Sequence, residues 1–249
     1  MRLGKREFRP GLWPTLAMLL LCALFLRLGW WQWGRAEYKR NLLTEYAAQI
    51  VRPPLRLAQV GAAALAGLPP NRRVQIQGRY DGEHQLLLED MIRDGVVGYE
   101  VLTPFQTADG SELLVDRGWV AVDARSGRPP AVEVADVPRR ITAALGKLPV
   151  AGLRLGRPAA PSAAWPKIMF YPQAAELAAV YGPKLLPHVL LLDPAEPDGY
   201  RRETQLDVGF PPERHLAYAF QWLALAVAVF IVWLWVNLRP SRKEAEHEV

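Results

Sequence analysis

The side chains best suited to chemistry lie at the start of an apolar segment near the C-terminus. Tyr218 and Trp222 follow His215 at i+3 and i+7, so a helix would carry an imidazole and two aromatic rings on one face. Imidazole is a common axial ligand of haem iron, and flat aromatic rings pack well against a porphyrin. The pattern also suits a histidine at a membrane surface that bonds to a backbone carbonyl or a lipid headgroup. Both interpretations stay open at this point.

A second group of polar side chains follows an apolar segment near the N-terminus. Gln32, Arg35 and Lys39 stand at i, i+3 and i+7, so a continuous helix would place all three on one face. Such a stripe is either solvated, or turned toward lipid phosphates, or a docking face for a partner or for an anionic group of a ligand.

The motifs of the common enzyme classes are missing from the sequence. It has no G-x-S-x-G or H-E-x-x-H motif, no Walker loop and no G-x-G-x-x-G after a predicted strand. Its four histidines, at positions 84, 188, 215 and 247, are widely separated, and the single cysteine, Cys22, lies in an apolar run. We therefore predict that the protein is not an enzyme. A membrane-anchored extracytoplasmic enzyme would need a cleft with paired carboxylates or histidines.

Two apolar segments near the ends of the chain predict membrane-spanning helices. Residues 12–28 include 14 apolar side chains out of 17, and residues 216–238 include 21 out of 23. At roughly 1.5 Å per residue the second segment is about 34 Å long, enough to cross a hydrocarbon core of about 30 Å. The first is extended by interfacial residues. The predicted divisions are a tail at 1–11, a span at 12–33, a domain at 34–214, a span at 215–238 and a tail at 239–249.

The distribution of charge predicts the orientation in the membrane. The formal net charge is +5, and the first ten residues carry four basic side chains against one acidic one. Positive-inside logic therefore places both termini in the cytoplasm and the central domain on the extracytoplasmic side. The first span lacks a small-x-small cleavage site, which favours an uncleaved anchor. Because the excess positive charge lies in the membrane flanks, we expect contact with membrane lipid and no nucleic-acid partner.

The central segment has the pattern of a β-rich domain. Alternating apolar residues and Asp-Gly turns between residues 72 and 122 predict an antiparallel meander of about four strands. Further candidates are strands at 139–145, 188–193 and 203–208, a short helix at 172–181, and a continuation of the first helix to about residue 50. The predicted fold class is α+β: N- and C-terminal transmembrane helices enclose an extracytoplasmic domain with a mainly antiparallel β-sheet and one or two short helices.

Four sequence blocks resemble the Surfeit locus family of cytochrome c oxidase assembly factors. They are LGWWQ at 28–32 with Arg35 and Lys39, GYEVLTP at 98–104, LVDRGWV at 114–120, and Pro212 with His215, Tyr218-Ala219 and Gln221-Trp222. The blocks occur in the family's order and span nearly the whole chain. One departure is Asp116, where the family commonly has asparagine, and residues 125–166 match nothing in the family.

The resemblance implies a membrane assembly factor for haem-copper cytochrome c oxidase, which binds haem a or hands it over while the catalytic subunit matures. It implies His215 as the ligand of the haem iron. Tyr218, Trp222 and Trp31 would pack near the porphyrin, and Gln32, Arg35 and Arg117 would engage its propionates or the partner. The block Arg117-Gly118-Trp119 also fits a purely structural role, as a strand end with a tryptophan in the core.

The resemblance also implies partners and a location. The expected partners are the catalytic subunit of cytochrome c oxidase and other assembly factors, and the expected location is the inner membrane of a bacterial cell. An alternative function is that of a structural membrane subunit, which stabilises an oxidase assembly intermediate without binding haem.

Overall fold

The computed structural model describes residues 2–3, 6–57, 62–122, 130–148, 162, 164–202, 206 and 208–240. In chain order the elements are β1 (Arg2–Leu3), β2 (Arg6–Phe8), α1 (Leu12–Val51), β3 (Leu55–Arg56), α2 (Ala62–Ala66), β4 (Arg73–Tyr80), β5 (Leu86–Arg93), β6 (Val96–Thr107), β7 (Glu112–Ala121), β8 (Arg139–Gly146), β9 (Lys167–Met169), α3 (Ala174–Tyr181), β10 (Leu185–Leu192), α4 (Pro212–Asn237) and β11 (Leu238–Pro240). The chain divides into two compact units, Met1–Glu45 with Asp207–Val249 and Tyr46–Leu206.

The helical unit contains two helices that are long and apolar enough to cross a membrane. They are α1, with 40 residues, and α4, with 26 residues. Pro212 lies at the start of α4, where the missing N–H leaves no helical hydrogen bond unmade. A small antiparallel sheet in the order β1-β2-β11 joins the ends of the two helices. The predicted continuation of the first helix to about residue 50 is confirmed, because α1 ends at Val51.

α1 and α4 pack against each other in opposite directions. Residues with higher numbers on α1 contact residues with lower numbers on α4. Trp233 Nε1 donates to Thr15 Oγ1 (3.1 Å), and Cys22 Sγ lies 3.5 Å from the carbonyl oxygen of Ala226. The seam on α1 repeats in steps of three and four residues through Thr15, Met18, Cys22, Phe25, Gly29, Gln32, Ala36 and Lys39. The contact residues of α1 thus recur about every 3.5 residues on average, which is the period of helices that pack as in a coiled coil.

The β-rich unit is built on one sheet of eight strands. Their order is β3-β4-β8-β10-β7-β6-β5-β9, and β4 also pairs with β6, so the five strands β4, β8, β10, β7 and β6 close into a ring. Most pairings are antiparallel, and the parallel ones are β3–β4, β7–β10 and β5–β9. Asp94 and Gly95, both with positive φ, make the turn between β5 and β6. The predicted fold class is confirmed.

Among the described residues, three hydrophobic clusters hold this unit together, the smallest around Leu87, Val101 and Val132. One contains Ile76, Phe105, Val115 and Leu190 together with Leu65 of α2. Another contains Leu88, Leu114, Trp119 and Leu177 of α3. Successive residues of one strand, such as Leu114 and Val115, therefore belong to different clusters, because successive side chains of a strand point to opposite faces of the sheet. The candidate strand at 203–208 lies almost wholly outside the described residues, and the proposed domain boundaries stay predictions.

Candidate functional site

The helical unit brings His215 of α4 against Gln32 of α1. His215 Nδ1 lies 2.7 Å from Gln32 Oε1. An amide oxygen only accepts hydrogen bonds, so this contact suits the imidazole tautomer whose proton is on Nδ1. In that tautomer Nδ1–H donates a hydrogen bond to Gln32, and the lone pair is on Nε2.

His215 Nε2 has no hydrogen-bond partner among the described residues, although protein atoms enclose it completely. A nitrogen lone pair held this way is what a metal ion binds, and metal-binding histidines generally donate their other ring N–H to a carbonyl or carboxylate. The residues present therefore fit an axial ligand of haem iron. Because Nε2 is enclosed, such a ligand reaches it only after the helix pair opens locally.

The cationic residues near His215 have different environments. The positive charges of Arg35 and Lys39 both lie close enough to His215 to disfavour a positive charge on its imidazole. Lys39 is buried in the seam, and its Nζ donates to the carbonyl oxygen of Phe210 at 2.6 Å. Arg35 is exposed, with its guanidinium 5.3 Å from the centre of the Tyr38 ring. On the continuous helix α1 the three residues lie within about 60° of one another, as their spacing predicts. Gln32 and Lys39 pack in the helix seam, whereas Arg35 lies at its exposed edge.

The predicted aromatic residues are also divided between the seam and the surface of the helix pair. Trp222 is half-buried in the seam, beside Gly29 and 5.6 Å from the ring of Phe25. Tyr218 and Trp31 are exposed to 49% and 52%. The structure thus gathers His215, Gln32 and Trp222, and it leaves two aromatic rings on the outer surface, where Tyr and Trp anchor membrane proteins at the interface.

Arg117 lies in the core of the β-rich unit, only 2% exposed. Its Nε donates to the carbonyl oxygen of Asp198 at 2.7 Å, and its Nη1 donates to Gln85 Oε1 at 3.0 Å. Other donors reach Thr103 Oγ1 and the carbonyl oxygens of Val132 and Glu133. Burial lowers the pKa of Arg117. The guanidinium is thus hydrogen-bonded to several separate segments of the chain. Its predicted contact with a propionate or a partner stays a prediction.

Gly118 and Trp119, which follow Arg117 in the sequence block at 114–120, also have structural roles. Gly118 has φ of 103°, and a Cβ there would lie 2.6 Å from the carbonyl oxygen of Arg201, so only glycine fits. Trp119 is buried, and its Nε1 donates to the carbonyl oxygen of Met91 at 2.7 Å. Gly98 is equally constrained, because a Cβ there would lie 2.5 Å from the Trp119 ring. The blocks at 98–104 and 114–120 therefore pack against each other on β6 and β7.

A pair of carboxyl groups lies beside these blocks. Burial and the neighbouring Glu100 raise the pKa of Asp116 well above its usual range. Asp116 Oδ1 accepts the N–H of Gly118 at 2.8 Å, and Glu100 Oε2 lies 3.4 Å from Arg93 Nη2. Burial and the negative charge of Glu100 both disfavour the ionised form of Asp116, so this carboxyl group keeps its proton to a higher pH than a free aspartate does. Sequence reasoning missed this pair, because the two residues are 16 positions apart on different strands.

Three further residues, Gln85, Gly29 and Ala36, were not predicted as parts of these sites. Gln85 is buried between Arg117 and Thr103, and nothing in its local sequence marks it. The small residues Gly29 and Ala36 form the seam of α1, and their seven-residue spacing was the available signal. Among the residues that the structure describes, no group of three or more histidines, cysteines or acids could hold a metal ion. A haem iron differs, because its porphyrin supplies most of the ligands.

Comparisons with known proteins agree with the four sequence blocks. The profile of the SURF1 family matches residues 19–227. A SURF1-like protein of Rickettsia felis is 28% identical over 42% of this chain and 45% of its own length, and one of Dictyostelium discoideum is 30% identical over 40% and 39%. These matches span under half the length of either relative. An uncharacterized SURF1-like protein of Mycobacterium bovis is 26% identical over 95% of this chain and 88% of its own length. The chain belongs to the SURF1 family.

Proposed function

We propose that this protein is a membrane assembly factor for haem-copper cytochrome c oxidase, which holds haem a through His215 before the oxidase catalytic subunit receives it. Membership of the SURF1 family supports a role in oxidase assembly in general. The two apolar helices support a membrane location. Haem a is the cargo in this proposal, so the protein needs no catalytic group of its own.

The observation that carries the haem proposal is the state of the His215 ring. Nδ1 is bonded to Gln32, and Nε2 keeps a lone pair without a partner among the described residues. Gln32 acts as a positioning residue, since it holds the ring in the tautomer that an iron ligand needs. Trp222 lies two turns from His215 on α4, on the same side of the helix, where its flat ring packs with Phe25. Arg35 supplies an exposed cation that suits a propionate.

The test is an absorption spectrum of the full-length protein, purified in detergent from cells that make haem a. We expect a stoichiometric haem a signal in the parent protein and in the His84→Ala control, whose histidine lies in the β-rich unit. His215→Ala should lose the signal or shift its Soret band. An unchanged spectrum in His215→Ala would remove this residue as the ligand.

The enclosure of Nε2 favours a second candidate function. Gln32 and His215 also form a polar contact between two helices, and such contacts stabilise helix pairs in membranes. On this alternative the protein stabilises an oxidase assembly intermediate without binding haem. Colourless protein that still copurifies with the oxidase catalytic subunit, in cells whose oxidase activity depends on it, would support the alternative.

A further inference from the structure

The β-rich unit contains a pocket of about 580 Å³ whose lining includes neither Arg117 nor Asp116. Its walls come from α2, α3, β10 and the end of β8. They consist almost entirely of leucine, alanine, valine and proline side chains, among them Leu65, Leu145, Leu177 and Leu186. The volume lies within the range of about 300–1,000 Å³ that is typical of pockets for small molecules.

An irregularity in strand β10 forms one side of this pocket. Leu185 pairs with Glu112 of β7 and Val189 pairs with Leu114, so three residues of β10 lie opposite one residue of β7. Pro187 is at the centre of this bulge, and proline has no N–H to give to a ladder. Residues 185–189 all line the pocket. Bulges of this kind occur often beside binding sites, because they redirect side chains.

Two side chains in the lining can interact with a polar group. Lys147 is exposed at the end of β8 and has no ion-pair partner among the described residues. His188 lies in the bulge, and its Nδ1 is enclosed without a hydrogen-bond partner in the described part of the chain. A proton on Nδ1 would be a buried donor without an acceptor, so the enclosure favours the tautomer with N–H at Nε2, which can donate to a ligand.

We propose that this pocket binds a single-chain amphiphile with a carboxylate head, namely a long-chain fatty acid. The apolar walls suit a hydrocarbon chain, because every CH₂ that leaves water for an apolar pocket strengthens binding. The head is a monoanion, because Lys147 offers one positive charge and the ring of His188 one further donor. This site is independent of His215, so its failure leaves the haem proposal unaffected.

The experiment uses the full-length protein in membrane vesicles and a palmitic acid that carries a diazirine in mid-chain. After illumination, mass spectrometry maps the labelled peptides. Ala178 lines the pocket from an exposed position on α3, whereas its exposed neighbour Ala179 does not line it. Ala178→Trp should therefore fill the pocket and abolish labelling of the 174–189 peptides, while Ala179→Trp should label like the parent protein.

The headgroup is tested with Lys147→Met and with the alcohol that corresponds to the labelled acid. We expect Lys147→Met to lower labelling by the acid about threefold, as befits an exposed ion pair, and to leave labelling by the alcohol unchanged. Absence of label at the pocket, or equal labelling in Ala178→Trp, would overturn the proposal. Equal labelling by acid and alcohol in the parent protein would also overturn it, as would occupation of the pocket by residues 149–161 of the same chain.

Discussion

At the scale of single residues, Asp116 and Glu100 share a site where both cannot be ionised at low cost. The pKa of Asp116 is raised in the folded protein, first by burial and then by Glu100. A raised pKa means that the folded state binds the proton more tightly than the unfolded state. The stability that comes from this proton is fully present below the unfolded pKa of about 4. It is lost as the pH rises through the folded pKa.

Asp116→Asn should therefore stabilise the protein at neutral pH. Asparagine keeps an oxygen for the N–H of Gly118, and its amide can donate to Glu100 without a titration. We expect a gain on the order of 1 kcal/mol at pH 7 that fades toward pH 4, measured by thermal unfolding at both pH values. The exposed Asp136→Asn serves as the control. A gain that is the same at pH 4 and pH 7 would contradict the shared proton.

Gln32 is the second residue with an individual prediction, which rests on the proposed haem site. Gln32→Leu removes the acceptor of His215 Nδ1 and leaves the imidazole in place. We expect haem a affinity to fall about 10- to 100-fold, as for other partners of metal-binding histidines, in a titration of the detergent-purified protein. Gln32→Glu retains an acceptor and should restore binding. Equal affinity in all three proteins would show that Gln32 does not position the ring.

At the scale of secondary structure, the seam between α1 and α4 depends on small residues. A Cβ at Gly29 would lie 3.4 Å from the carbonyl oxygen of Ala219 and 3.5 Å from Trp222 Cβ, so only a very small side chain fits. Gly34 is in the same helix, but a Cβ there meets nothing within 4 Å. The two glycines thus form a matched pair, with equal helix propensity and different surroundings.

Gly29→Val should separate the helices, and Gly34→Val should not. The added methyl groups overpack the seam at a cost of about 1–3 kcal/mol. The readout is a disulfide between Cys22 and a cysteine introduced by Ala226→Cys, since Cys22 Sγ lies 3.5 Å from the carbonyl oxygen of Ala226. We expect efficient cross-linking in the parent and in Gly34→Val, and a clear loss in Gly29→Val. The same yield in both valine variants would argue against the observed seam.

Arg117 joins β7 to the loops that contain Val132 and Asp198. Arg117→Leu leaves several buried acceptors unpaired, so we expect the β-rich unit to lose about 3 kcal/mol of stability. The comparison is Arg79→Leu, whose arginine is exposed and lies 3.9 Å from Asp136, and which should change stability by less than about 0.5 kcal/mol. Limited proteolysis of the full-length protein measures both. Equal protease resistance would show that the bonds of Arg117 do not stabilise the unit.

The elements were more predictable from sequence than the contacts between them. Strand β4 begins with the two-residue period, and α1 and α4 have long apolar runs, so each is specified locally. The seam of α1 carries Gln32 and Lys39, which composition assigns to a polar surface. The partners of Arg117 come from distant segments, and only the closed ring of strands brings them together. Local patterns thus specify elements, while tertiary pairing decides which polar groups are buried.

At the scale of the whole molecule, the distribution of charge along the chain predicts how the protein is oriented in the membrane. The basic N-terminal tail predicts that both termini lie in the cytoplasm and that the central domain lies on the other side of the membrane. Single cysteines in a Cys22→Ala background test this with a membrane-impermeant maleimide on intact cells. Ala135 is exposed in the β-rich unit, and Arg9 is exposed near the N-terminus.

We expect Ala135→Cys to react from outside the cytoplasmic membrane, and Arg9→Cys to react only after the cells are lysed. The outer membrane is first permeabilised where one is present. The physical reason is that positively charged flanks are retained in the cytoplasm, whereas a long loop crosses largely regardless of its charge. Labelling of Arg9→Cys in intact cells, with Ala135→Cys protected, would reverse the orientation. The β-rich unit and its pocket would then face the cytoplasm, and haem a would have to be received on that side.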